Sequence, residues 1–171
     1  MSNRNKEKGK SYERDVCEAF KAVFGLNFQR IPNSGAFIGG ANAGRMDNMS
    51  ANQIQLSMGD IICPTELSNL VIECKARKIF SFNLLFSRSK ELEGWIDQVE
   101  VDFKKIEKGI FLVIFKINNK GQYVVFDADK FKLAVTDNAL VYQYNRIRYV
   151  VHPFDVKWLE TNKNLLLEYG A

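Results

Sequence analysis

Asp60, Glu73 and Lys75 are the residues of this 171-residue chain whose types and spacing could do chemistry on a charged substrate. They lie in residues 59–75, where two apolar, β-rich runs, 60–63 and 70–74, flank a polar turn containing Pro64, Thr65, Ser68 and Asn69. The pattern predicts a hairpin with a short loop. Folding back so that Pro64 meets Asn69 sets Cys63 against Leu70 and Asp60 directly opposite Glu73. Side chains alternate along a strand, so Lys75 shares the face of Glu73. Two carboxylates and one ammonium then gather on one side of an otherwise apolar strand.

Directly opposed cross-strand residues hold their Cβ atoms about 4.5–5.5 Å apart. At an effective dielectric near 20, two like charges ~5 Å apart repel by roughly 3 kcal/mol. One lysine relieves part of this, and a divalent cation relieves more. Hard oxygen ligands without nearby His or a Cys pair favour Mg²⁺ or Mn²⁺ over zinc. The plainer alternative is a surface hairpin whose Asp, Glu and Lys form a salt-bridge ladder.

The surroundings weigh against that alternative. Gly9-Lys10-Ser11-Tyr12-Glu13-Arg14, Arg30-Ile31-Pro32-Asn33-Ser34-Gly35, Gly59-Asp60-Ile61 and Ile72-Glu73-Cys74-Lys75 follow one another in order, with Gln98 beyond them. Together they resemble the PD-(D/E)XK nuclease superfamily, and within it the archaeal-type Holliday-junction resolvases and their phage relatives. The first piece is similar to the glycine…Glu-Arg start of the first helix in those resolvases, and the second to their Arg…Ser segment. The third and fourth are similar to the paired strands that carry the metal ligands. Gln98 fits a glutamine found in the following helix of many members. The runs 109–115 and 121–126 resemble the closing strands, and the firm likeness ends near Asp127.

The resemblance implies a restriction-endonuclease-like α/β core, a mixed (α+β) central sheet flanked by helices, forming a single nuclease domain over 1–171. It implies Mg²⁺, with Mn²⁺ able to substitute, held by Asp60, Glu73 and the backbone carbonyl of Cys74. Glu13 supports that site directly or through water. Lys75 positions the attacking water or stabilises charge growing on the phosphorus centre. Ser34 contacts phosphate, and Gln98 orients the water. The substrate implied is a four-way DNA junction, and the assembly a homodimer, because symmetric nicks need two sites.

Composition is compatible with these expectations. The chain carries 46% hydrophobic and 26% charged residues, a net charge of +4 and a pI of about 8.9. That describes a globular domain, only mildly basic, for which nucleic acid is a permitted partner. Cys17, Cys63 and Cys74 are odd in number, form no Cys-x-x-Cys and sit in apolar contexts, as in a reduced, cytoplasmic protein. No apolar run predicts a membrane span, and the polar start predicts no signal peptide.

The elements that must position these residues follow from periodicity. Residues 1–8 are polar and basic, and are expected to be frayed. From Gly9, apolar residues from Tyr12 to Phe24 recur at helical spacing, with Gly25 as C-cap and Glu13 at the border of the buried face. Residues 27–31 form a short strand. Residues 36–58, rich in Gly, Asn and Ser, show no period; so long a structureless stretch is unusual in a compact domain. The compact archaeal resolvases lack this insertion, and it is expected to lie beside the catalytic face and contact DNA, with Arg45 as one phosphate anchor; the alternatives are an ordered family-specific hairpin or a mobile lid.

After Lys75, basic residues interleave with aromatics. Arg77, Lys78 and Arg88 are candidate phosphate contacts, alongside Arg14 and Arg30, whereas Phe80, Phe82 and Phe86 read as core. Residues 92–108 predict an amphipathic helix, with Trp95, Ile96 and Val99 facing inward. Ile110–Ile117 and 122–127 predict a hairpin over Asn118–Gly121, and 140–151 a strand. Residues 156–169 predict a last helix, in a C-terminal extension spanning 128–171. Tyr142, Tyr144, Arg146, Arg148 and Tyr149 form either a second DNA-facing strip or a dimer contact.

His152 is the one histidine, and it lies outside the motif region. A histidine nuclease, a zinc hydrolase or a Ser-His-Asp triad is therefore disfavoured. No Gly-x-x-x-x-Gly-Lys-Ser/Thr loop occurs. Two rivals stay open: another nuclease on the same core, of restriction or repair type, and a DNA-binding protein that has lost catalysis.

Overall fold

A computed structural model describes residues 3–32, 58–104, 106 and 108–171, with side chains described from Glu7 onward. Ser34, Arg45 and residues 36–57 of the expected insertion lie outside the described residues. Helix α1 (Asn3–Phe24) starts at Asn3 rather than at Gly9. Its stripe of Tyr12, Val16, Phe20 and Phe24 is buried. Gly25 ends it in the left-handed region, φ +68, its amide returning to the carbonyl of Lys21 at 2.9 Å.

Strand β1 (Gln29–Arg30) pairs antiparallel with β2 (Ile61–Ile62) in a small ribbon of its own. The main sheet contains β3 (Leu70–Arg77), β4 (Ile110–Ile117), β5 (Gly121–Asp127), β6 (Leu140–Tyr144) and β7 (Ile147–Pro153), in the order β3-β4-β5-β7-β6. β3 and β4 run parallel and the other pairs antiparallel, so the sheet is mixed. A parallel pair needs a crossover, and α2 (Lys90–Phe103) supplies it. Ser89 caps α2, accepting from the Leu92 amide, and α2 stops at Phe103, short of residue 108. Helix α3 (Val156–Gly170) closes the chain under an Asp155 cap.

Strand alternation divides the core in two. Ile72, Cys74, Leu112, Ile114 and Phe126 pack with α1 and α3 on one face. Val71, Val113, Phe115, Val125 and Tyr149 pack with α2 on the other. The mixed sheet flanked by helices is the α/β architecture the sequence led one to expect. β3 is an edge strand, and its free edge lies between the two helical layers.

Three local expectations are corrected. Runs 60–63 and 70–74 form no ladder, because Ile61 and Ile62 pair with Arg30 and Gln29. The intervening stretch is not a free polar turn: a 3-10 turn, Thr65–Leu67, buries Leu67 completely against the last helix, where Gly170 leaves room for it. Second, the strand expected over 140–151 breaks into a hairpin at Asn145 and Arg146, φ +50 and +67. Two consecutive positive φ angles mark a tight two-residue turn, here made without glycine.

Third, the tyrosines of that hairpin do not form a DNA-facing strip. Tyr142 and Tyr149 are buried, and their hydroxyls bond to Glu93 and Glu100 of α2, while that of Tyr144 bonds to Asp97. A buried hydroxyl needs a partner, and α2 provides the row of acceptors. Arg148 pairs with Asp129.

Candidate active site

The site begins with a glycine. Gly59 has φ +68, and a Cβ built there would lie 2.5 Å from the Ile72 carbonyl oxygen. Its amide donates to Asp102 of α2 at 3.2 Å. Only glycine lets the chain approach the edge of β3 this closely. The next amide, that of Asp60, donates to Ile72 O at 2.8 Å, and the Asp60 carbonyl accepts from Ile31 at 2.9 Å. The Asp60 side chain then turns back to the same edge, where Oδ2 accepts from the Cys74 amide at 2.8 Å. Asp60 and Glu73 thus meet, as the sequence led one to expect, through a single bridging residue rather than a ladder.

Glu73 and Lys75 project from β3 on the α2 side, where Gln98 meets them. Lys75 Nζ donates to Glu73 Oε1 and, at 2.8 Å, to Gln98 Oε1. Gln98 Nε2 donates to Glu73 Oε1 at 2.6 Å. The three side chains close a ring, and the buried polar groups within it are matched. Glu73 is 2% exposed. Burial, and then the negative charge of Asp60, push its carboxyl up to about 8, while Lys75 pulls it back.

Glu13 joins from α1. Burial and the charge of Asp60 raise its carboxyl above the ordinary range, against the pull of Arg30, whose Nη1 lies 3.3 Å from Oε2. Arg30 also donates to the Ile31 carbonyl at 2.9 Å. It therefore braces the site, with only 19% of its side chain exposed. Asp60 thus acts on both Glu13 and Glu73, and Asp102 on Glu73, against Arg30 and Lys75. The cluster has an acidic surplus.

That surplus and the open oxygens fit a divalent cation. Asp60 engages Oδ2 and Glu73 engages Oε1; among the described residues no donor reaches Oδ1 of the one or Oε2 of the other. Ile72 O and Cys74 N both point to the Asp60 side of β3, so by strand alternation the Cys74 carbonyl shares that edge. Two carboxylate oxygens and a carbonyl are hard donors, suited to Mg²⁺ or Mn²⁺. Among the described residues no three of His, Cys, Asp and Glu form a metal-holding group. The fit thus rests on the carboxylate pair, and the bond from Arg30 is the contact Glu13 makes.

The other expected contacts are spread around this centre. Arg14 and Lys78 are exposed. Arg77 pairs with Glu91 at 2.8 Å, and Arg88 with Glu93 at 3.1 Å. Phe80 is buried as expected, whereas Phe86 is 82% exposed and does not belong to the core. Asp102 was missed. It lies four residues after Gln98, so helical spacing puts both on one face, and that periodicity was the available signal.

One family model, described as "Phage putative PDDEXK endonuclease", matches residues 4–166. No curated protein and no solved structure matches the chain.

Proposed function

The chain belongs to this phage PDDEXK endonuclease family, and from that premise we propose that it is a divalent-metal-dependent endodeoxyribonuclease that resolves four-way DNA junctions. The observation that carries the catalytic part of this reading is the meeting of Asp60, Glu73, Lys75 and Gln98 at one edge of β3. Asp60, Glu73 and the Cys74 carbonyl would hold Mg²⁺, or Mn²⁺ in its place. A bound ion of this kind supplies positive charge for the phosphate oxygens and makes water more acidic.

The chain's own residues do the rest. The Cys74 amide and the Gly59 turn fix the Asp60 carboxylate. Lys75, held by Glu73 and Gln98, presents its ammonium toward charge that grows on the phosphorus centre. Gln98 orients water without adding charge. Glu13 and Arg30 brace the α1 side, and Arg14, Arg77, Lys78 and Arg88 anchor flanking phosphates. Ser34 is retained as a proposed phosphate contact on the strength of the family likeness, and Arg45 as a proposed anchor on its place in the 36–58 insertion alone.

The junction part rests on the likeness to resolvases, and with it goes a homodimer that places two such sites on symmetric strands. The test compares a four-way junction with linear duplex of the same sequence, in Mg²⁺, Mn²⁺ and EDTA. Metal-dependent paired nicks confined to the junction support the reading, with loss of nicking but not of binding in Glu73→Gln. Equal cutting of both DNAs supports a restriction or repair enzyme instead. Binding without cleavage by the unmodified protein in either metal supports a protein that has lost catalysis.

A further inference from the structure

Between β3 and α2 the segment 78–89 contains no acidic residue and bears three exposed apolar side chains, Ile79 at 71%, Leu84 at 39% and Phe86 at 82%. The segment is anchored. The Phe80 ring packs on Phe82, Trp95 and Phe115 at 4.9, 5.5 and 5.2 Å, and Phe82 packs on Tyr123 at 4.9 Å. Leu85 is buried. Hydrophobic residues thus split into a set that pins the segment and a set turned to water. The exposed set is flanked by three cations: Lys78, with no partner among the described residues, and Arg77 and Arg88, which pair with Glu91 and Glu93 while Arg77 also stacks over Trp95 at 5.3 Å and the Arg88 side chain stays 69% exposed.

The segment also has a defined place relative to the candidate active site. Arg77–Glu91 and Lys75–Gln98 both tie β3 to α2. Glu91 and Gln98 are seven residues apart on that helix, about 10 Å along its axis at ~1.5 Å per residue. The segment therefore starts about 10 Å along the helix from the Lys75–Gln98 contact.

We propose that Phe86, aided by Ile79 and Leu84, stacks against unpaired or unstacked bases beside the scissile phosphate, so that this segment is the element that recognises branched DNA. The inference rests on the nuclease reading for the position of that phosphate. Aromatic and apolar side chains give sequence-tolerant contact with any exposed base face, while cations track the backbone. An intact duplex hides those faces, and a branch point exposes them. Charge decides the occupant. Lys78 has no partner among the described residues and segment 78–89 has no carboxylate to offer a second copy, whereas a DNA strand brings the opposite charge.

The test uses the full chain in EDTA, which makes cleavage unnecessary, with a four-way junction carrying 2-aminopurine at the branch and a linear duplex of the same sequence. Phe86→Ala weakens junction binding by about fivefold or more, leaves duplex binding and melting temperature unchanged, and abolishes the 2-aminopurine response. Phe86→Trp preserves all of them. Unchanged junction affinity in Phe86→Ala overturns the proposal, as does equal weakening on both DNAs. Loss of self-association with DNA binding intact also overturns it, and assigns the patch to a second copy of the chain. A Phe86-dependent preference in a protein that never cuts in Mg²⁺ or Mn²⁺ supports the contact of Phe86 with branch-point bases while refuting the nuclease reading and, with it, the placement beside a scissile phosphate.

Discussion

The Cys74 amide donates to Oδ2 of Asp60 at 2.8 Å, so the residue between the two site residues of β3 holds the carboxylate that faces them. Asp60 therefore has two separable duties, to accept a buried hydrogen bond and to supply charge. Asp60→Asn keeps an oxygen for the amide and removes the repulsion with Glu73. Its melting temperature in EDTA is expected to equal or exceed that of the unmodified protein, while cleavage falls beyond the ~100-fold typical of outer-shell partners. Asp60→Ala strands the Cys74 amide, at about 1–3 kcal/mol, and is expected to melt lower. Equal melting of the two variants would show that the hydrogen bond is unimportant.

Glu73 makes the metal-free protein sensitive to alkali. Its carboxyl is raised to about 8 in the folded chain, from an ordinary 4.5, by burial and by Asp60. Between those values the native state holds a proton that the unfolded chain has lost, so stability falls as pH rises. The contribution is complete below the unfolded value and gone once pH has passed the folded one. In EDTA the melting temperature is expected to decline through this window, and Glu73→Gln to flatten the decline. Mg²⁺ is expected to restore more stability at the alkaline end. Parallel profiles for the two proteins would refute this assignment.

Much of this architecture was readable in the chain because period-specific patterns carried it. The α1 stripe, the Gly25 cap, the β4–β5 hairpin and the last helix all follow from spacing. The meeting of Asp60 with Glu73 was also anticipated, but for a different geometric reason. Burial of Leu67 against α3 and the pairing of Ile61 with Arg30 are long-range events that no local turn signal announces. The Asn145-Arg146 turn lacked glycine, and only Asn145 belongs to the residues that favour a positive φ, so the local signal was weak. Phe86 and Phe80 look alike in sequence, and only tertiary packing separates the exposed ring from the buried one.

Gly59 gives a stringent test of how closely Asp60 must approach β3. Alanine there combines a positive φ with a Cβ 2.5 Å from a backbone oxygen. The expected loss of stability exceeds ~1 kcal/mol, seen as a lower urea midpoint with an unchanged slope. Cleavage is expected to fall further than stability alone accounts for, because relief of the clash moves the neighbouring carboxylate. A variant with the original midpoint and rate would show that the approach is looser than these contacts imply.

Gln98 bridges the two other partners, receiving a hydrogen bond from Lys75 at 2.8 Å and giving one to Glu73 at 2.6 Å. Gln98→Ala leaves Lys75 paired with Glu73 alone, so the ammonium loses its second restraint. Single-turnover cleavage is expected to drop about 10- to 100-fold, in the range of outer-shell effects, with DNA affinity unchanged. Gln98→Glu can still accept from Lys75, but as a carboxylate it cannot donate to Glu73, and it adds a further carboxylate to the cluster of Glu13, Asp60, Glu73 and Asp102. Its loss should be the deeper of the two, although it is closer in shape to glutamine. If instead glutamate matched glutamine and alanine alone failed, the side chain would matter for packing rather than for its donor and its neutrality.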